Sequence, residues 1–228
     1  MRLWTQLLSV AIFGGVLLLG IDAFDVTDEP FSVPTVVAPD LFKWQWTESQ
    51  IRSELMTVTD CRVEPESCSP ATRRFVAIVN EALPYQGTAR ISHINRSVNL
   101  AIRAKSSGET WVSPLTALAI EEGDCKSYAV TKYAALSDIG VAENDLRSVI
   151  VHIRSSYNKH AVVAVRDADH WLILDNRRMR TVESRQLLRD YLPLFTLDYR
   201  GVREFMPSQN VASLPCSRDS TRIEPPSG

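Results

Sequence analysis

Apolar positions along the chain change period once, and the change divides it. In ATRRFVAIVNEAL, Phe75, Val76, Val79 and Leu83 recur at helical spacing, and Pro84 stops the run. In ARISHINRSVNLAIRA, Ile91, Ile94, Val98 and Ile102 form one stripe of a second amphipathic helix. SPLTALAIEEG predicts a third, with Ser113 as N-cap, Pro114 in the first turn and Gly123 as the stop. In CKSYAVTKYAALSDIG, Ala129, Tyr133 and Leu136 share a face, Asp124 suits the N-cap and Gly140 the C-cap. Cys125 is thereby predicted in the first turn of a helix buried on one face.

After Gly140 the pattern turns to continuous apolar runs and period two. LRSVIVHIR, HAVVAVR and HWLILDN are rich in β-branched residues and predict strands. The last two flank Asp167-Ala168-Asp169 and predict a hairpin. VESRQLLRDYL predicts a further helix, and PLFTLDYRGVREFM one more strand. Helices followed by strands predict an α+β fold with an antiparallel sheet.

The ends read differently. Arg2, the apolar run Leu7–Ile21 and Ala23 have the layout of a secretory signal, residues 1–23. The run is shorter than the roughly 20 residues of a membrane span; an uncleaved anchor is the alternative. Residues 24–59, proline-rich at the start, are expected to be an extended lead-in. Residues 60–205 are expected to form the domain, and 206–228 a disordered polar tail. With 45% hydrophobic and 23% charged residues among 228, the chain has mass for one core. A net charge of -2 without a basic face gives nucleic-acid binding no electrostatic support. After signal cleavage nothing predicts a membrane segment.

Export changes the reading of the four cysteines. In DCRVEPESCSP, Cys61 and Cys68 suit a small disulfide loop, two free thiols being the alternative. Cys216 falls in the polar tail, which leaves Cys125. A helix N-terminus favours a thiolate, and Lys126 adds positive charge. A free cysteine is also a common small buried residue. A nucleophile needs a base and an orienting group. His93 lies beside an apolar helical stripe, His152 sits mid-strand, and His170 follows the hairpin turn. His160 opens the strand AVVAV at its rim. Asp175 ends the apolar run WLIL, where a lone carboxylate wants a partner; turn initiation with Asn176 is the other reading. A turn centred between Asp167 and Ala168 sets His160 opposite Asp175, with Cβ atoms about 5 Å apart. A half-residue shift would put them on opposite faces. The Cys125 N–H is a natural oxyanion donor, and Trp111 is a candidate side-chain donor.

The order Cys, His, Asp, together with VNLAIRAK, TWVSPLTAL, GDCKSYAVTKYAALSDIGV, VIVHIRSSYNKHAVVAVR and HWLILDN, resembles the bacterial transglutaminase-like cysteine proteinases, which include the periplasmic LapG-type proteases. The resemblance spans roughly residues 60–200. It implies a papain-like, transglutaminase-like fold, a triad of Cys125, His160 and Asp175, and cleavage of a protein substrate. For LapG-type members it further implies a cell-surface adhesin as substrate, an inner-membrane cyclic di-GMP receptor as regulator, and a periplasmic location. Calcium-dependent members carry acidic residues just after the cysteine. Lys126 and Ser127 stand there instead, so no calcium site and no cofactor is expected. The same triad would serve amine acyl transfer, and the same fold a non-catalytic binding domain.

Overall fold

The computed structural model describes residues 41–105, 111–156 and 158–204. Six helices and eight strands follow in order: α1 (Leu41–Val63), α2 (Pro70–Ala82), α3 (Gly87–Ala101), β1 (Arg103–Ala104), α4 (Pro114–Ile120), β2 (Glu122–Gly123), α5 (Cys125–Asp138), β3 (Leu146–Ile153), β4 (Lys159–Asp167), β5 (His170–Leu174), β6 (Val182–Glu183), α6 (Ser184–Leu187), β7 (Tyr191–Asp198) and β8 (Gly201–Glu204). The main sheet is antiparallel in the order β6-β5-β4-β3-β7-β8. This is the expected α+β, papain-like arrangement.

The signal-like segment 1–23 and the tail 206–228 lie outside the described residues. So do residues 24–40 of the expected extended lead-in; its remainder is corrected. Residues 41–63 form the long helix α1, so the folded unit includes residues before 60. Trp44, Thr47, Ile51 and Val58 are buried along one stripe of it. The Trp44 indole N–H donates to the Asp198 carbonyl at 3.0 Å, tying α1 to the far end of β7. At the C-terminal end of α1, Cys61 is disulfide-bonded to Cys68.

The short elements follow their local chemistry. The Ser69 hydroxyl accepts the Thr72 N–H at 3.0 Å, and Pro70 occupies the first turn of α2. After α5, Gly140 at φ 88° lets its N–H reach the Ser137 carbonyl and the Val141 N–H reach Leu136, a Schellman closure. The expected stop of α4 moves: Glu121, at φ 59°, takes the left-handed position, not Gly123. Gly123 is required for closeness instead. A Cβ there would lie 2.4 Å from the Ser127 Cβ, in the first turn of α5. The expected helix over VESRQLLRDYL shrinks to α6, because Tyr191 onward pairs with β3. PLFTLDYRGVREFM supplies two strands, β7 and β8.

α5 is the axis of the molecule. Ser127 through Leu136 are all buried, so it is enclosed on every side and not on one face. Helices α1–α4 and the sheet surround it, with Ala161, Val163, Val165, Leu172 and Leu174 packed on the helix side of the sheet. A smaller cluster of Val149, Val151, Val162, Ala164, Trp171, Ile173 and Leu187 fills the opposite face, partly under α6. Enclosure traps Lys132, whose Nζ has no hydrogen-bond partner and lies 5.7 Å from the Tyr128 ring centroid.

Two stability effects follow. Gly123→Ala forces the loop before α5 away from Ser127 and lowers stability by about 1–3 kcal/mol, read as a reduced urea midpoint. Burial pulls the Lys132 ammonium down to about 7 from an ordinary 10.5, against the opposing field of Asp175. Between those values the unfolded chain binds more protons, so this group makes stability rise with pH. Lys132→Met is expected to stabilise at pH 7 by about 1–3 kcal/mol and to flatten that rise in urea titrations at pH 7 and 9.5.

Candidate active site around Cys125

The chain arrives at Cys125 firmly held. β1 and β2 pair in parallel, the Arg103 and Lys105 N–H groups donating to the Glu121 and Gly123 carbonyls at 2.8 Å each. The Tyr128 hydroxyl donates to the Ile102 carbonyl at 2.6 Å, fixing the first turn of α5 from below. Asp124 is the N-cap, as expected: its Oδ1 accepts the Lys126 and Ser127 N–H groups at 3.0 and 3.3 Å. Its Oδ2 pairs with the Lys126 ammonium. The carboxylate is thereby turned toward the cap and away from a purely repulsive role beside the sulfur.

The half-buried Cys125 thiol, the one free cysteine among the described residues, lines one cavity with His160, whose proximity favours the thiolate. His160 opens β4 and is buried. Its Nε2 lies 2.8 Å from Asp175 Oδ1, which leaves Nδ1 for the sulfur. The structure therefore brings together the three residues singled out in the sequence, though by a different register. The turn is Ala168-Asp169, with Asp167 opposite His170 and Val163 opposite Leu174. Ala168 takes the left-handed conformation, φ 53°, that a two-residue hairpin turn needs. The displacement amounts to two residues in the pairing, so parity is kept. His160 and Asp175 share a face and meet diagonally instead of directly opposite.

Asp175 is wholly buried and fully bonded. Besides His160, its Oδ1 accepts the Arg177 N–H at 3.0 Å, and its Oδ2 accepts the Tyr191 hydroxyl at 2.7 Å. The Asn99 side-chain amide donates to its carbonyl at 3.0 Å. Burial works against its ionised form, but the His160, Arg177 and Tyr191 bonds prevail and hold the carboxyl at about 2. For His160, burial opposes the charge, and the bonds to Asp175 and Cys125 override it, raising the imidazole to about 9. For Cys125, burial pushes the thiol up, while the His160 bond and charge and the Ala161 N–H bring it below its ordinary value. The three groups thus favour a thiolate–imidazolium pair backed by a carboxylate.

Tyr191 is the residue that sequence reasoning missed. Its ring centroid lies 5.6 Å from that of His160, and its hydroxyl caps the second Asp175 oxygen. The pattern VESRQLLRDYL places it in a helix; the available signal was the continuous apolar run 191–195 with Pro193 inside it, which favours a strand over a helix. The other histidines stand apart. His93 stacks on Tyr85 at 5.1 Å, His152 sits on β3, and His170 is exposed at the hairpin turn.

Cys125 and His160 open into a cavity of about 320 Å3, walled by Trp44, Trp111, Ile150 and Phe195. Trp111 meets Trp44 edge-on at 6.1 Å. Glu121 pairs with Arg74 at 2.6 Å, Glu122 with Arg103 and Lys105, and Asp124 with Lys126. Each carboxylate near the helix start already has a cationic partner. No cluster of three His, Cys, Asp or Glu side chains suits a metal among the described residues.

Comparison with known proteins matches this picture. The family model of the bacterial transglutaminase-like cysteine proteinases covers residues 52–192. LapG of Legionella pneumophila superposes with a TM-score of 0.54 at 15% identity, over 75% of this chain and 90% of that one. EGTA-treated LapG of the same organism gives 0.54 at 16% identity, over 80% and 90%. At such identities the likeness is one of fold. Among curated proteins, none matches the chain. With the family model covering more than half of its length, the chain belongs to the bacterial transglutaminase-like cysteine proteinases.

Proposed function

We propose that the protein is an exported cysteine endopeptidase in which Cys125 is the nucleophile, His160 the acid and base, and Asp175 the group that orients the imidazole. The observation that carries this reading is the continuous line from Cys125 through His160 to Asp175, opening into the cavity. The thiolate attacks the substrate carbonyl carbon, forming an S–C bond while the carbonyl electrons move to oxygen. The Cys125 N–H, with Trp111 as a candidate second donor, receives that oxyanion. His160 gives its Nδ1 proton to the departing amine as the C–N bond breaks, leaving a thioester. Water then attacks, His160 takes its proton, and the C–S bond breaks to restore the ion pair. Asp175, kept ionised, holds Nε2–H and so fixes which nitrogen faces sulfur. Tyr191 fixes Asp175.

The signal-like residues 1–23 support export to the periplasm and a substrate at the cell surface. An adhesin and a membrane receptor would be the counterparts by analogy with LapG-type enzymes. The three occupied carboxylates beside Cys125 support action without calcium.

Limiting alkylation of Cys125, read by mass spectrometry, tests the assignment. Labelling is expected to remain fast below pH 7, because His160 keeps its proton up to about 9 and stabilises the thiolate beneath it. In His160→Ala the thiol should lose that depression, burial then pushing it to or above the ordinary thiol value, with peptidase activity down by about 10²–10⁴-fold. An unchanged profile would overturn the triad, and capture of an added amine instead of water would make the enzyme an acyltransferase. A calcium chelator is expected to change neither labelling nor proteolysis; loss of both on chelation, with recovery on adding calcium, would show a metal requirement.

A further inference from the structure

A second cavity, of about 620 Å3, has Tyr191 in its wall and shares no lining residue with the one at Cys125. Four arginines line it: Arg154 after β3, Arg177 and Arg178 after β5, and Arg189 after α6. Asp190 is the one carboxylate among the described lining residues, and it pairs with Arg178. Arg178 Nε also lies 3.9 Å from Asp175, whose charge is already met by His160. The other three guanidinium groups have no carboxylate partner among the described residues. Arg154 donates to the Leu188 carbonyl at 3.2 Å and Arg177 to the Tyr191 hydroxyl at 3.4 Å, both neutral acceptors. Arg189 makes neither a hydrogen bond nor an ion pair among the described residues. All three are exposed. Because they come from three separate connections, a net charge of -2 conceals them in the sequence.

We propose that this cavity is a binding site for a phosphate-class oxyanion, held by Arg154, Arg177 and Arg189. The connections that carry these residues are tied together before any ligand arrives. The Arg154 N–H donates to the Asp190 carbonyl at 2.8 Å, and the Arg178 N–H to the Asp175 carbonyl at 3.2 Å. The Arg178 carbonyl in turn accepts the Asn95 and Asn99 amides at 2.8 and 3.0 Å. The backbone thus holds like charges around one space, at a cost in repulsion that a bound anion removes. Only arginines supply the positive charge in the wall, and a guanidinium presents a planar fork of donors suited to oxyanions. One planar carboxylate is met by a single fork, whereas the terminal oxygens of a phosphate accept from several directions at once. The volume is that of a small-molecule site. The inference does not depend on the peptidase reading.

Calorimetric titration of the full-length protein with inorganic pyrophosphate tests this. Saturable binding is expected, weakened about tenfold by Arg154→Gln and by Arg189→Gln. These two are chosen because neither side chain bonds to Asp175 or Tyr191, whereas the Arg177 N–H and guanidinium hold both. Arg189→Lys, which keeps the charge and loses the fork, should recover only part of the affinity. Thermal unfolding without ligand checks that each variant keeps its fold, and pyrophosphate should raise the midpoint of the wild type more than that of the double variant. Flotation with phosphatidylcholine vesicles, with and without phosphatidic acid, separates the sources of the phosphate. Flotation that needs both phosphatidic acid and the two arginines assigns it to a lipid headgroup; pyrophosphate binding without such flotation assigns it to a soluble ligand. Absence of both kinds of binding, or binding undiminished in the double variant, overturns the proposal. So does a glutamate-rich peptide that binds through these arginines while pyrophosphate does not, which would make the cavity a docking site for an acidic protein segment.

Discussion

A carboxylate with no exposure to solvent is the constraint on which the site is built. Burying an ion is tolerable only when its lone pairs are met and a counter-charge is near. Asp175 satisfies this with donors from three places: the His160 ring on β4, the Tyr191 hydroxyl on β7 and the Arg177 N–H in the turn after β5. Its own carbonyl is then tied to Asn99 on α3. Sheet, turn and helix layer are therefore fixed to one another at the point where His160 must be aimed. The ring has little freedom left, and its second nitrogen faces the start of α5.

The other half of the site is a helix beginning, and its stiffness comes from packing. Gly123 admits the Ser127 side chain where any Cβ would collide, and Asp124 caps the turn immediately after. Because α5 is enclosed from Ser127 to Leu136, its first turn cannot shift without disturbing the core. The sulfur is thus presented from a rigid axis to a rigid sheet rim. That is the arrangement in which a hydrogen bond between them can bias the thiol toward its anion.

Much of this was legible in the sequence because it depends on parity and on capping. Alternation along HAVVAVR and HWLILDN puts His160 and Asp175 on one face for any even displacement of the pairing, so the wrong turn centre still brought them together. Asp167-Ala168-Asp169 offers two possible centres, and nothing local chooses the one in which Ala168 must adopt a positive φ. α1 was illegible for a different reason. Its buried stripe of Trp44, Ile51 and Val58 is interleaved with charged residues, and its anchor on Asp198 lies at the other end of the chain. Tyr191 was lost likewise, since pairing with β3 outweighs the helical pattern of the residues before it.

Lys126 shows how one substitution pattern can redirect a site without altering its scaffold. A helix N-terminus beside a cysteine tolerates acidic neighbours if a divalent cation covers them, and here an ammonium on the chain itself takes that part. It pairs with the Asp124 oxygen that is left over from capping, while the Asp124 charge still pushes the Cys125 thiol up. Against burial and that charge, the His160 bond and charge and the Ala161 N–H favour the thiolate.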